Sequence, residues 1–214
     1  MNDREAYERD GYIHLRQFLP VEVAMGVIAR LKSDLARQGI NITDLQQENM
    51  LLKRPASELY GHHYAPLAFL CWGMTPAIAA LTGKSLLPTY AYFRVYREGD
   101  ICRFHGDRQS CEHSLSLTLA YSDDIAWPLE VATARTDRPY PRNDECYTET
   151  DQIGAVAMAA GDAVLYQGVH HHHGRCTPNP NRWSAHLFLH WIDRNGPYAS
   201  FAFDGHRPPT EVTL

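Results

Sequence analysis

Between Ser114 and Tyr121 the chain alternates small polar and large apolar residues almost without error: Ser-Leu-Ser-Leu-Thr-Leu-Ala-Tyr. Side chains of an extended backbone point to opposite faces in turn, so a period of two commits this run to a half-buried strand with one apolar face. Segments 89–97, 129–134, 153–158, 163–167 and 184–192 also read as strands, separated by Gly, Pro and Asp signals. Gly161-Asp162 predicts a tight turn between two of them. Many short strands with such punctuation close into a sandwich or a barrel.

The first third of the chain follows a different period. Asn2 or Asp3 can cap a short helix ending at Gly11, and Pro20 suits the first turn of a longer one. In that second helix Ala24, Val27, Ile28, Leu31 and Leu35 recur at helical spacing, and Gly39 is a stop. Residues 41–65 show no clear period. A helical patch spans 66–72, and Thr75-Pro76 reads as the cap and first position of another helix closed by Gly83. These helices are expected to pack on one face of the sheet.

Composition excludes several classes. With 214 residues the expectation is one domain with a sizeable core, and 44% apolar and 21% charged residues are ordinary globular values. A formal charge of -5 disfavours a nucleic-acid partner, because phosphate binding needs a basic surface. No run approaches the ~18 uninterrupted apolar residues of a membrane span, and the charged start lacks a secretory core. Five cysteines without paired short spacing fit a reducing compartment, so a cytoplasmic location is expected and Cys102 and Cys111 read as buried free thiols.

The chemistry concentrates between His105 and Ser184. His105-Gly106-Asp107 ends a run through Ile101 and Phe104, and its one-residue spacer puts both ligand-type side chains on one side of an extended segment. A block of four histidines, His170 to His173, follows a later strand, and Arg182-Trp183-Ser184 opens the last one. Two imidazoles and one carboxylate on one face leave open positions opposite, the arrangement of non-heme Fe(II) oxygenases, and a nearby arginine suits a dicarboxylate co-substrate. Only one or two of the four histidines can reach one ion. Arg94, Arg97, Arg103 and Arg108 crowd the triplet, as solvated strand-edge charge or as a positive mouth for an anion. The polar segment 136–150 is a candidate lid or a plain surface loop.

Gly161-Asp162-Ala163-Val164-Leu165-Tyr166-Gln167-Gly168, then a histidine, then Arg182-Trp183-Ser184 resembles the C-terminal half of the Fe(II)/2-oxoglutarate-dependent dioxygenase superfamily. The opening Tyr7-Glu8-Arg9-Asp10-Gly11-Tyr12-Ile13-His14-Leu15 is similar to the start of its phytanoyl-CoA dioxygenase-like branch. The resemblance implies a mainly β protein with flanking helices: a double-stranded β-helix, or jelly roll, over 87–193, mostly helical support over 1–86 packed on one sheet, and a C-terminal tail over 194–214.

It further implies that His105, Asp107 and His173 are the catalytic metal ligands. His173 is preferred because it stands nine residues before Arg182 and precedes Gly174; His170 and His171 come next. Arg182 would grip the distal carboxylate of 2-oxoglutarate and Ser184 would add a hydroxyl. Prolyl hydroxylases carry a tyrosine three residues before the first ligand, where this chain has Cys102, so Tyr92, Arg94 and Tyr96 are candidates to complete the co-substrate pocket. Strand parity places His186, Phe188 and His190 on the face of Arg182 and Ser184, as pocket groups or as hydrogen-bonded core histidines.

The implied activity is hydroxylation of an unactivated C–H bond with Fe(II), 2-oxoglutarate and O2, releasing succinate and CO2. The substrate would be a small molecule, amino acid or peptide side chain, with a carboxylate suggested by the arginines. Asp107 is a carboxylate and not Gly or Ala, which leaves halide no ligand position and disfavours halogenation. The alternatives are a cupin-like isomerase or hydrolase using another divalent metal, or a non-catalytic 2-oxoglutarate-binding module.

Overall fold

The computed structural model describes residues 3–136, 145–206 and 211. Helix α1 (Asp3–Asp10) leads into strand β1 (Tyr12–Leu15), and helix α2 (Val21–Ala36) starts from Pro20, which stands one position outside the expected first turn. The Asn2 alternative for capping α1 lies outside the described residues. The stretch without a clear period holds a 3-10 turn (Ile42–Leu45), a two-residue strand β2 (Gln46–Gln47) and β3 (Ala56–Tyr60). The first 86 residues are therefore not only helical: β1, β2 and β3 all join the larger sheet.

Helix α3 (Ala65–Thr82) replaces the two helices expected there. Thr75 does not cap a new helix; its hydroxyl donates back to the Cys71 carbonyl (3.2 Å) and accepts from the Trp191 indole N–H (2.9 Å). Pro76 lies inside the helix, where it removes one backbone hydrogen bond. Leu67, Cys71 and Ile78 are buried on both sides of it, and burial worth roughly 1.5–3 kcal/mol per large side chain carries the helix through. Gly83 ends it at φ +67°, with its N–H on the Ala79 carbonyl (2.8 Å). Contrary to expectation, α3 is long and apolar enough to cross a membrane by length and composition alone, with mean hydropathy 1.5 over 18 residues.

The core strands are β4 (Leu86–Arg97), β5 (Cys102–His105), β6 (His113–Tyr121), β7 (Trp127–Ala132), β8 (Ile153–Met158), β9 (Ala163–Tyr166), β10 (His173–Arg175) and β11 (Trp183–Asp193). They form two antiparallel sheets, ordered β1-β9-β6-β11-β4-β3-β2 and β5-β10-β7-β8. The chain passes from one sheet to the other at almost every connection, which is the double-stranded β-helix. Gly161 (φ +86°) and Asp162 make such a passage, from β8 to β9, rather than a hairpin. The Asp162 carboxylate holds this turn by accepting from the backbone N–H of Gln17 (2.8 Å) and Ala159 (3.1 Å).

The alternation in β6 has a different meaning from the one expected. Leu115, Leu117 and Leu119 face α2 and α3 together with Leu187, Leu189 and Trp191 of β11. Yet Ser114, Ser116 and Thr118 are also fully buried, so the strand is covered on both faces. Their face looks across to the smaller sheet, and this polar lining is what a site inside the roll requires.

Candidate metal centre

Sequence places His105 at the end of β5 and His173 at the start of β10, and the ladder pairs them directly as opposite residues. Asp107 follows His105 by two, and its backbone N–H donates to the Gly168 carbonyl (2.9 Å), which turns its side chain back toward both imidazoles. The His105 Nε2 lies 3.5 Å from one Asp107 carboxylate oxygen and the His173 Nε2 lies 3.5 Å from the other. One ligand atom from each of the three residues falls within 4.8 Å of the others.

The donor set fits a divalent metal. His105 Nδ1 is 2.7 Å from the Arg103 carbonyl and His173 Nδ1 is 2.9 Å from the His171 carbonyl. A carbonyl only accepts, so each Nδ1 carries the proton and each Nε2 keeps its lone pair, the tautomer a metal ligand needs. Burial by itself would raise the Asp107 carboxyl, but the imidazoles of His173 and His105 outweigh it and hold the group well below the usual carboxylate range. Burial pushes His173 down to about 4 against the opposing pull of Asp107. The three side chains thus offer two imidazole Nε2 atoms and one carboxylate to a divalent ion.

The four-histidine block resolves by parity and contact. His171 is buried with Nδ1 on the Ala132 carbonyl (2.9 Å), and its ring fills the space a side chain at Gly11 would need. His170 has Nδ1 on the Thr136 carbonyl (3.1 Å), and the ring of His172 lies 6.0 Å from that of Phe104. His173 alone of the four is grouped with His105 and Asp107. Gly168 and Gly174 leave room for this approach: a Cβ on Gly168 would collide with an Asp107 oxygen, and one on Gly174 would lie 2.8 Å from the Cys102 carbonyl.

These three side chains open on a cavity of about 340 Å³ between the sheets, within the range of small-ligand sites. Of the proposed co-substrate residues, Tyr92 and Arg94 line it and Arg182 and Ser184 do not. Arg182 corrects the expectation most clearly. Its side chain is 72% exposed and its Nε donates to Asp123 (3.1 Å), because Arg182 precedes β11 at the end of the roll remote from His105, Asp107 and His173. Ser184 is buried, but its hydroxyl is taken by the Asn179 amide (3.1 Å). The parity argument holds further along β11, where Phe188 and His190 reach the cavity. His186 is buried against Tyr96, Tyr121 and Trp127.

Arg94 is inside but already neutralised. Its Nε donates to Glu58 (2.6 Å), its Nη1 donates to the Tyr96 hydroxyl (2.9 Å), and its guanidinium lies over Tyr92, Tyr96 and Phe188. Arg103 donates to the carbonyls of Met50 and Leu52, and Arg108 pairs with Asp204 (2.8 Å). The positive mouth read from the sequence is therefore largely spent on structure.

The residue that sequence reasoning missed is Arg175. It is 1% exposed and lines the cavity, its Nη1 donates to the Trp127 carbonyl (2.5 Å), and its guanidinium lies 4.8 Å from the Trp127 ring. Its Nε has no hydrogen-bond partner, and the buried Glu130 carboxylate feels its charge without ion-pair contact. Parity could have found it, since Arg175 stands two residues after His173 and shares its face. Glu58 was missed because β3 has no periodic signal. Residues 137–144 of the candidate lid lie outside the described residues.

No protein-family model and no curated protein matches the sequence. Solved structures do. The non-heme alpha ketoglutarate dependent carbocyclase SnoK from nogalamycin biosynthesis is 12% identical over 98% of this chain and 93% of its own, with TM-score 0.67. The epimerase SnoN in complex with Fe3+, alpha ketoglutarate and nogalamycin RO is 13% identical over 98% and 90%, with TM-score 0.62. A Pseudomonas putida prolyl-4-hydroxylase is 15% identical over 90% and 97%, with TM-score 0.59. The chain has the double-stranded β-helix fold of these structures, whole length on whole length.

Proposed function

We propose that this protein is a non-heme Fe(II), 2-oxoglutarate-dependent oxygenase. The observation that carries the reading is the meeting of two imidazole Nε2 atoms, each 3.5 Å from an oxygen of one carboxylate, at the edge of a buried cavity. Fold-mates that are alpha ketoglutarate dependent, or hold Fe3+ and alpha ketoglutarate, support it. Bound iron would supply the activation of O2. His105, Asp107 and His173 would hold it, with the Arg103 and His171 carbonyls fixing the two rings.

The same reading assigns the distal carboxylate of 2-oxoglutarate to Arg175 in place of Arg182. Two strand residues span about 6–7 Å, so Arg175 lies one short diacid's length along β10 from His173. A buried guanidinium with an unused Nε–H, near the Glu130 carboxylate but not in ion-pair contact with it, suits an anion brought in by the ligand. Arg94 would serve by its ring-stacked position in the cavity wall, with Glu58 fixing it. Tyr92 and Phe188, stacked at 4.7 Å, would wall the chain of the diacid from water.

The reaction proposed is hydroxylation of a C–H bond on a small molecule or an amino-acid side chain. A hydroxylase among the fold-mates supports this, and a carbocyclase and an epimerase there show that the same fold serves other outcomes. A cytoplasmic setting is proposed on the free thiols.

Succinate release with Fe(II), 2-oxoglutarate and O2 across a metabolite panel tests the function, with His105→Ala as the inactive control; a wild type no better than that control would refute it. Arg175→Met is expected to raise KM for 2-oxoglutarate roughly 10- to 100-fold while Arg182→Ala leaves it within about twofold, as the loss of one buried charge-assisted contact implies. The reverse pattern would return the role to Arg182.

A further inference from the structure

A second convergence of ligand-type groups lies beside the first and shares only Asp107 with the proposed iron site. Asp107, Cys111 and His190 each offer one ligand atom within 4.8 Å of the other two. Cys111 closes the 3-10 turn (Gln109–Cys111) that follows Asp107, and His190 comes from the inward face of β11. Cys111 and His190 are 1% and 2% exposed.

The proton arrangement around His190 matches that of the other two imidazoles. Its Nδ1 is 2.8 Å from the Ser114 hydroxyl, and that hydroxyl faces an Asp107 oxygen (3.4 Å) and the Cys111 carbonyl (3.2 Å), both pure acceptors. With its own hydrogen given to one of these, the hydroxyl receives a hydrogen from Nδ1. The Nε2 lone pair is left over, and Nε2 is buried without a partner. The Cys111 sulfur lies 3.2 Å from the Tyr90 hydroxyl. The Tyr90 ring stacks on His190 at 4.5 Å, and the Arg108 guanidinium lies 4.3 Å from its centroid, which walls the pair from solvent. Burial raises the Cys111 thiol well above its ordinary range, so without a cation the residue is a neutral thiol whose proton a metal would displace.

A thiolate, an imidazole and a carboxylate form a borderline-soft donor set that suits Zn(II) or Co(II) and not Mg(II) or Ca(II). We propose that Asp107, Cys111 and His190 form a second metal face that binds a soft divalent cation, zinc in the natural setting, and that it shares Asp107 with the face of His105 and His173. A cation there draws Asp107 away from its two histidine partners. Zinc would then oppose iron loading by taking the shared Asp107, held there by Cys111 and His190; this consequence rests on the function proposed above, whereas the binding itself does not.

Anaerobic Co(II) titration of the full chain tests it. A near-ultraviolet sulfur-to-cobalt charge-transfer band is expected in the wild type and in the His105→Ala/His173→Ala double variant, and is expected to vanish in Cys111→Ser. Zn(II) calorimetry on the double variant, which keeps only the second face, should still give one site, weakened at least tenfold by His190→Gln. No sulfur band at Co(II) saturation, a band that survives in Cys111→Ser, or a double variant that binds no zinc overturns the proposal. Absence of succinate from the iron-loaded wild type would instead count against the oxygenase reading and leave these results standing.

Discussion

Asp107 is the most constrained group in the cavity. It receives Ser114, faces two imidazoles, and lies so close to Gly168 that a methyl there would fall on its carboxylate. Gly168→Ala must therefore move Asp107, the Cys111 carbonyl or the Ser114 hydroxyl. Overpacking of this kind costs about 1–3 kcal/mol. We expect Fe(II) affinity to fall at least tenfold in a chain that keeps its far-ultraviolet circular dichroism. Unchanged affinity would mean that the Asp107 position is adjustable and the site less preorganised than its contacts imply. Glu58 is constrained in the opposite sense, as the partner of a cavity charge. Gln47, Asn49 and Tyr60 all donate to it along with Arg94. Glu58→Gln leaves the Arg94 cation buried without its anion, and breaking such a pair costs about 3–5 kcal/mol. Chemical denaturation should show that loss, and Glu58→Gln/Arg94→Met should recover part of it; equal stability of wild type and Glu58→Gln would show that water replaces the carboxylate.

At the scale of elements, β6 and β11 divide the protein into two interiors. Their odd-numbered residues Leu115, Leu117, Leu187 and Leu189 pack against the helices, and their even-numbered residues Ser114, Ser116, His186 and His190 face the smaller sheet. Damage to one interior should leave the other largely intact. Leu117→Ala is expected to cost about 2–5 kcal/mol by loss of burial and creation of a cavity. Metal affinity at 25 °C should stay within about twofold, provided the variant is folded. Calorimetric metal titration beside a urea melt checks both halves, and a parallel loss of affinity would show that the helical layer sets the site's geometry. The helical layer itself was legible where its stripe was regular, as in α2. It was misread at Thr75-Pro76, because a cap signature is local whereas continuity of α3 is decided by what lies beneath it.

For the whole molecule, the buried imidazoles set the response to acid. Burial lowers His113 to about 4 despite the nearby Asp193, lowers His190 to about 4 against Asp107, and also lowers His186 well below its ordinary value. An unfolded histidine titrates near 6.5, so the unfolded chain binds these protons first as pH falls. Their contribution is complete above about pH 6.5 and is lost as pH falls toward 4. At pH 5 His113 and His190 would each have surrendered about 1–2 kcal/mol. The metal-free protein should unfold at markedly lower urea at pH 5 than at pH 7.5, and His113→Gln should flatten that slope. A midpoint independent of pH would show that these rings are solvated in the native state.

The strand pattern, the helical first third and the ligand types His105, Asp107 and His173 could all be read from the chain, because period, turn chemistry and donor identity are local properties. Their consequences for space were not local. The ladder that sets His105 against His173 joins residues far apart in sequence through a three-residue strand too short to show a period. The polar face of β6 looked solvent-facing until a second sheet covered it. Arg182 and Arg175 carry the same charge, and only the position of each along its strand, one outside the roll and one inside, decides which can meet a ligand. Sequence fixes which atoms are offered, and packing of distant segments fixes which of them share a volume from which water is excluded.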